Sequence, residues 1–181
     1  LFKLIPQKCY VCVIFEMSSA MESVHAADLI HRDLKPENVL IDENGHVLLS
    51  DFGISCIIDV ENQTRTSGVG SLKFMAPELL NESNHYGQKV DVYSFGVVMF
   101  FILTNGELPK ISVAAQSNGK KAEIPESVNS ISRDLINSCW SADEKDRPSF
   151  KEIVEIIKNN NFNLIDGMEK YLPQIKSFLS L

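Results

Sequence analysis

Asp33, Lys35, Asn38 and Asp51 bring three oxygen-bearing side chains and one amine into a single short stretch of the chain. Asp33, Asn38 and Asp51 offer hard oxygen donors. Such donors suit Mg²⁺, which keeps several waters and takes few protein ligands. Lys35 adds a positive charge that can meet a phosphate. Phosphoryl transfer depends mainly on positioning and charge neutralisation, and this set supplies both. The element that must position them is written in the same stretch, HRDLKPENVLIDENGHVLLSDFG, from His31 to Gly53. Val39-Leu40-Ile41 and Val47-Leu48-Leu49 flank Glu43-Asn44-Gly45, a pattern that predicts a short β-hairpin turning at Asn44-Gly45. His31, Arg32, Asp33, Lys35 and Asn38 stand before it and Asp51 after it, and a hairpin brings its ends together, so Asp33, Asp51, Lys35 and Asn38 should converge.

These residues resemble the protein kinase superfamily. His31-Arg32-Asp33-Leu34-Lys35-Pro36-Glu37-Asn38 is similar to its catalytic loop, Asp51-Phe52-Gly53 to its magnesium motif, and Ala76-Pro77-Glu78 to the end of its activation segment. The resemblance covers roughly residues 8–158. It implies an α+β, mainly α fold: a kinase-like C-terminal lobe with a short catalytic hairpin. It implies ATP and Mg²⁺ as cofactors and a protein as substrate. Asp33 would then accept the proton of a substrate hydroxyl, and Lys35 would neutralise the transferring phosphoryl group. Asn38 and Asp51 would hold the metal, and Leu40 would lie under the adenine. His31, Arg32, Phe52 and Gly53 would frame the site, and Asp91 would hold the catalytic-loop backbone from below. Glu78 would pair with Arg147.

The same resemblance favours a Ser/Thr enzyme. Gly70-Ser71 places a hydroxyl where the family contacts the catalytic aspartate and lysine, and Lys35 itself points the same way. The stretch from Cys139-Trp140 to Arg147-Pro148 is similar to the tyrosine-kinase-like branch of Ser/Thr kinases. Between Ile54 and Met75 the chain is polar, and the resemblance makes this the activation segment. Thr64, Thr66 and Ser67 are candidate phosphosites there, with Arg32 as the group an added phosphate would pair with.

Composition sets the outer bounds. The 181 residues are 44% hydrophobic and 23% charged, ordinary for one globular domain. A net charge of −7 argues against nucleic acid or an anionic membrane as partner. The longest apolar run, Phe95 to Leu103, is too short to span a bilayer. With no charged-then-apolar leader, and Leu1 rather than Met at the start, the expectation is a cytoplasmic protein fragment. Cys9, Cys12, Cys56 and Cys139 are read as reduced thiols. The Cys9–Cys12 pair lacks a second pair or paired histidines to complete a zinc set.

Taken in order, Tyr10-Val11-Cys12-Val13-Ile14-Phe15 reads as a buried β-strand. By resemblance it is the last strand of a kinase N-lobe, with Phe15 at the gatekeeper position. Glu16 and Met17 then start a hinge that contacts the nucleotide. Residues 1–17 are thus expected to be an N-lobe remnant and 18–160 a C-lobe. The few residues between Glu16 and His31 leave room for only the end of the long helix that the family carries there. Lys89 to Leu103, apolar on nearly every face and stopped by Asn105-Gly106, is predicted to be a buried central helix. Further helices are expected around Ile131–Trp140 and from Phe150. The extension 161–181 has an apolar stripe from Leu164 to Leu179, which Pro173 should split into two short helices. That stripe is expected to pack back on the lobe or on a partner.

Two functions compete. One is a protein Ser/Thr kinase domain fragment, inactive by itself but part of an enzyme. The other is a non-catalytic binding or scaffold module, since the chain shows no phosphate loop and no strand lysine. The intact chemistry set favours the first for the gene.

Overall fold

Residues Tyr10–Ala26 form one α-helix, α1, in a computed structural model that describes residues 6–51, 72–82 and 86–181. This overturns the expected strand at residues 10–15. A continuous apolar run has the same appearance in a buried strand and a buried helix, and length is what separates them. No Gly or Pro interrupts the chain from Gln7 to Lys35, so nothing stops the run short. Tyr10 to Phe15 are buried one after another, which takes in every side of the helix and explains why no alternation is visible. The N-lobe remnant, gatekeeper and hinge expected over residues 10–17 go with the strand. So does the shortened helix: α1 is long, and it packs chiefly against α6, the helix Phe150–Asn159.

Past α1 the expected hairpin forms, with β1 at Val39–Ile41 and β2 at Val47–Leu49. The pairing is antiparallel, Val39 opposite Leu49 and Ile41 opposite Val47. Its turn is wider than Asn44-Gly45 alone. The Asp42 N–H donates to the His46 carbonyl at 2.9 Å, and the Gly45 N–H to the Asp42 carbonyl at 3.1 Å. Gly45 takes a φ of 91°, which a residue with a side chain rarely adopts. The Asp42 carboxylate accepts the backbone N–H groups of Asn44 and His46. The His46 N–H contributes most to holding that carboxyl below the usual range.

The centre of the molecule is α3, Lys89–Leu103, reached from α2, Pro77–Leu80. Val90 to Phe100 of α3 are buried without a break, so the central helix is covered on all sides as expected. Against it lies α5, Ser130–Cys139, preceded by the short α4, Val113–Ser117. The two approach closely at Gly96: a Cβ placed there would sit 2.7 Å from the Cβ of Cys139. Ser149 and Glu152 form a reciprocal capping box at the start of α6.

After α6 the chain turns back over α1 and continues into α7, Leu172–Phe178. Pro173 lies in the first turn of α7, directly after a 3₁₀ turn at Glu169–Tyr171, so two short helical pieces meet there as expected; a proline needs no amide partner in that first turn. Phe162, Leu164, Ile165 and Ile175 are buried, and the Phe162 ring meets Phe15 edge-on at 5.0 Å. The Ser132 hydroxyl of α5 donates to the Leu164 carbonyl at 2.7 Å. The apolar stripe of the extension therefore lies on the lobe itself. Cys9, Cys12 and Cys139 are free thiols. Cys9 and Cys12 are three residues apart where α1 begins, so they neighbour each other on one helix face instead of facing opposite sides of a strand. Among the described residues no helix is long and apolar enough to cross a membrane.

Candidate active site

The loop between α1 and β1 is fixed from beneath by Asp91, a fully buried carboxylate in the first turn of α3. Its Oδ2 accepts the His31 N–H and its Oδ1 the Arg32 N–H, both at 2.8 Å. A buried carboxylate with two backbone donors is well compensated. His25, at the end of α1, supplies a third contact from Nε2 at 2.9 Å. Sequence reasoning did not single out His25, whose only local signal is an imidazole in the last turn of α1.

Held this way, Arg32 takes a left-handed backbone with φ 68°. A non-glycine residue in that region is strained and persists only where its surroundings fix it. Here the Asp91 carboxylate is what fixes it. The Arg32 guanidinium lies over the Tyr86 ring at 5.1 Å.

Asp33, Lys35 and Asn38 meet at one carboxylate oxygen. Lys35 Nζ is 2.5 Å from Asp33 Oδ2, and Asn38 Nδ2 donates to that same atom at 3.1 Å. Asn38 Nδ2 also donates to the Asp33 carbonyl at 2.8 Å. Pro36–Asn38 forms a single 3₁₀ turn that returns Asn38 to Asp33. The side chains of Asp33 and Lys35 are about a quarter and a fifth exposed, while Asn38 is buried.

Ser50, the residue before Asp51, is tied to this cluster through the backbone. The Ser50 N–H donates to the Asn38 carbonyl at 3.0 Å, extending the hairpin ladder by one step. His31 Nε2 bonds the Ser50 carbonyl at 3.0 Å, and His31 Nδ1 faces the Asp33 N–H at 3.4 Å. Together these two bonds require a proton on Nε2 and none on Nδ1. His31 thus ties the residue before Asp51 to Asp33. Asp51 is exposed and has a φ of 62°.

Glu16 and Met17 are not near a hinge. Met17 is fully buried in α1, and Glu16 bonds His46 and the Val47 N–H. The structure thus removes the basis for their role in nucleotide binding. Leu40 and Leu48 are cross-strand partners on the outer face of the hairpin, 45% and 53% exposed. Phe52, Gly53, Thr64, Thr66, Ser67 and Ser71 lie outside the described residues.

Below the loop, Arg147 is 1% exposed and places its two terminal nitrogens on Glu78 at 2.6 and 2.9 Å. Its Nε donates to the Ser141 carbonyl at 2.8 Å. The Lys89 ammonium bonds the Arg147 carbonyl. Gln116 Nε2 donates to the Met75 carbonyl at 2.7 Å, and the Ser94 hydroxyl to the Phe74 carbonyl at 2.7 Å. These bonds fix the segment leading into Ala76-Pro77-Glu78, and sequence reasoning missed both of them.

The donor set fits Mg²⁺. Both bonds of Asn38 Nδ2 go to Asp33, which leaves Oδ1 as the oxygen Asn38 can offer a cation, and Asp51 contributes a carboxylate open to solvent.

The protein kinase domain family matches residues 3–156. The serine/threonine-protein kinase STY17 of Arabidopsis thaliana is 34% identical over 152 residues, covering 80% of this chain and 26% of its own length. The serine/threonine/tyrosine-protein kinase HT1 of Arabidopsis thaliana is 34% identical over 161 residues, 84% of this chain and 40% of its own. For the receptor-interacting serine/threonine-protein kinase 3 of Homo sapiens the identity is 34% over 173 residues, 82% of this chain and 33% of that protein. The chain spans less than half the length of each of these relatives. With the buried Asp91 support and the Glu78–Arg147 pair in place, that match over most of its residues puts the chain in the eukaryotic protein kinase superfamily, in the tyrosine-kinase-like branch of its Ser/Thr members.

Proposed function

We propose that this chain carries the catalytic centre of a protein Ser/Thr kinase, which transfers the γ-phosphoryl group of ATP to a protein hydroxyl. One observation carries the reading: Lys35 Nζ and Asn38 Nδ2 converge on Asp33 Oδ2. Both neighbours bond that one oxygen, and the second oxygen of Asp33 remains to receive a proton. In this reading the substrate oxygen bonds to the γ-phosphorus as the bond from that phosphorus to the bridging β–γ oxygen breaks. The hydroxyl proton passes to Asp33. Lys35 offsets the negative charge on the transferring group. Asn38 and Asp51 would hold Mg²⁺, which supplies charge neutralisation at the phosphates. Leu40 would form the floor beneath the adenine. Free thiols at Cys9, Cys12 and Cys139 suit a reducing compartment, which supports a cytoplasmic location.

The second reading, a non-catalytic binding module, is favoured by the exposure of Leu40 and Leu48, which leaves the nucleotide floor open within this chain. Asp33→Asn separates the two. In a protein that carries this segment with a lobe covering the nucleotide, the substitution should cut phosphotransfer by at least about 10²-fold, the scale of a lost general base. Near-normal transfer in that variant would make the catalytic reading wrong.

A further inference from the structure

The extension after residue 160 contributes nothing to the phosphoryl-transfer set, yet it ends against the catalytic hairpin. Three side chains meet there, one from each of α1, the hairpin turn and α7. Glu16 Oε1 is 2.6 Å from His46 Nδ1, and Glu16 Oε2 accepts the Val47 N–H at 3.0 Å. The His46 imidazole is stacked on the Phe178 ring, 4.5 Å between centroids at 22°. The ring also lies flush on the turn, since a Cβ placed on Gly45 would be 3.6 Å from it. A carboxylate in the otherwise apolar run Ile14-Phe15-Glu16-Met17 has no packing reason to be there; its partners are both on the hairpin.

We propose that Glu16, His46 and Phe178 are positioning residues, a clamp by which the C-terminal extension holds the hairpin bearing Asn38 and leading into Asp51, and that the clamp is tightest with His46 protonated. Its bearing on catalysis rests on the kinase reading above; the clamp itself does not. A protonated imidazole gives Glu16 a full counter-charge and presents a cation to the Phe178 face. The charged groups acting on His46 are Glu16 from α1 and Asp42 from its own loop, and α7 contributes Lys176 as its single charged side chain. The hydrogen bond to Glu16, then the charges of Glu16 and Asp42, raise the His46 pKa above its ordinary value. The added stability is therefore fully present below about pH 6.5, the ordinary imidazole value. It is lost as pH rises through the raised value.

Nuclear magnetic resonance of the 181-residue chain between about pH 5.5 and 9, with no nucleotide present, tests this. The readouts are the His46 titration and the hydrogen-exchange protection of the Val47 and Ser50 amides, corrected for intrinsic exchange. Val47 donates to Glu16 and Ser50 to Asn38, so they report the clamp and the site in turn. Both protections should fall about two- to tenfold as His46 loses its proton, the scale of one aromatic contact. His46→Gln should remove that pH dependence in a folded chain. Phe178→Ala should lower both protections at low pH and shift the His46 titration. If that variant does not fold, Phe178→Leu keeps the apolar bulk and gives the same comparison. Protection that stays flat through the His46 titration would overturn the clamp. A fall at Val47 without one at Ser50 would overturn its role in positioning the site. Because no readout involves phosphotransfer, the kinase reading can fail while the clamp stands, and the reverse.

Discussion

Arg147 and Glu78, distant in sequence, form a two-pronged ion pair at 2.6 and 2.9 Å, with the arginine side chain wholly buried. Arg147 also reaches the carbonyls of Ser141 and Lys89, and stands over the Tyr93 ring at 5.2 Å. One side chain thus joins the start of α2, the start of α3 and the loop before α6. Removing Glu78 strands a buried cation, and such losses cost about 3–5 kcal/mol. Arg147→Ala and Glu78→Ala should each lower the melting temperature clearly, and the double variant should cost much less than their sum. Thermal unfolding of the three variants checks this; additive effects would contradict the pairing.

Gly96 is a packing requirement. Alanine normally stabilises a helix interior over glycine by about 1 kcal/mol. Here the new Cβ would meet Cys139 at 2.7 Å and Trp140 at 3.0 Å, and both sit in a closed core. Overpacking of that kind costs about 1–3 kcal/mol. Urea unfolding of Gly96→Ala should show a net loss of stability, and a gain would mean that α5 yields.

Truncation after Asn160 removes Phe162, Leu164, Ile165 and Ile175, all buried. At about 1.5–3 kcal/mol each, the loss is roughly 6–12 kcal/mol. Whole domains are stable by only about 5–15 kcal/mol. The shortened chain should lose its cooperative thermal transition. A melting point equal to that of the parent would show that the extension covers nothing of consequence.

The buried thiols should be inert. Burial pushes Cys139 up to about 12 and is the main cause raising Cys12 to about 11, and thiolate is the reactive form. Alkylation at about pH 8, followed peptide by peptide in a mass spectrometer, should modify Cys9 well before Cys12 and Cys139. Early labelling of Cys139 would contradict the closed α3–α5 interface.

The hairpin and the central helix were legible because each carries its own signal. Val39–Ile41 and Val47–Leu49 are short runs separated by turn residues, and Lys89–Leu103 is long and ends at Asn105-Gly106. The meeting of Asp33 with Lys35 and Asn38 was legible because the three are close in sequence, and Ser50 pairs with Asn38 because the hairpin brings its two ends together. α1 was not legible as a helix because Tyr10–Phe15 is covered on every side, which erases periodicity. His25 and the Glu16–His46 bond were not legible, since each joins residues whose proximity depends on α1 being a helix. Misplacing that one element concealed both.

The most direct test of the site is a titration of the chain with Mg²⁺ and ATP, followed through the backbone amides of Lys35, Asn38 and Ser50. Leu40 and Leu48 are exposed, so the site encloses little of a nucleotide, and binding should be in the millimolar range. The predicted result is a set of saturable shifts at these three amides that requires Mg²⁺ and is lost in Asn38→Ala. Absence of Mg²⁺-dependent shifts there at about 10 mM nucleotide, or shifts that persist in Asn38→Ala, would contradict the assignment of this cluster as a metal–nucleotide site.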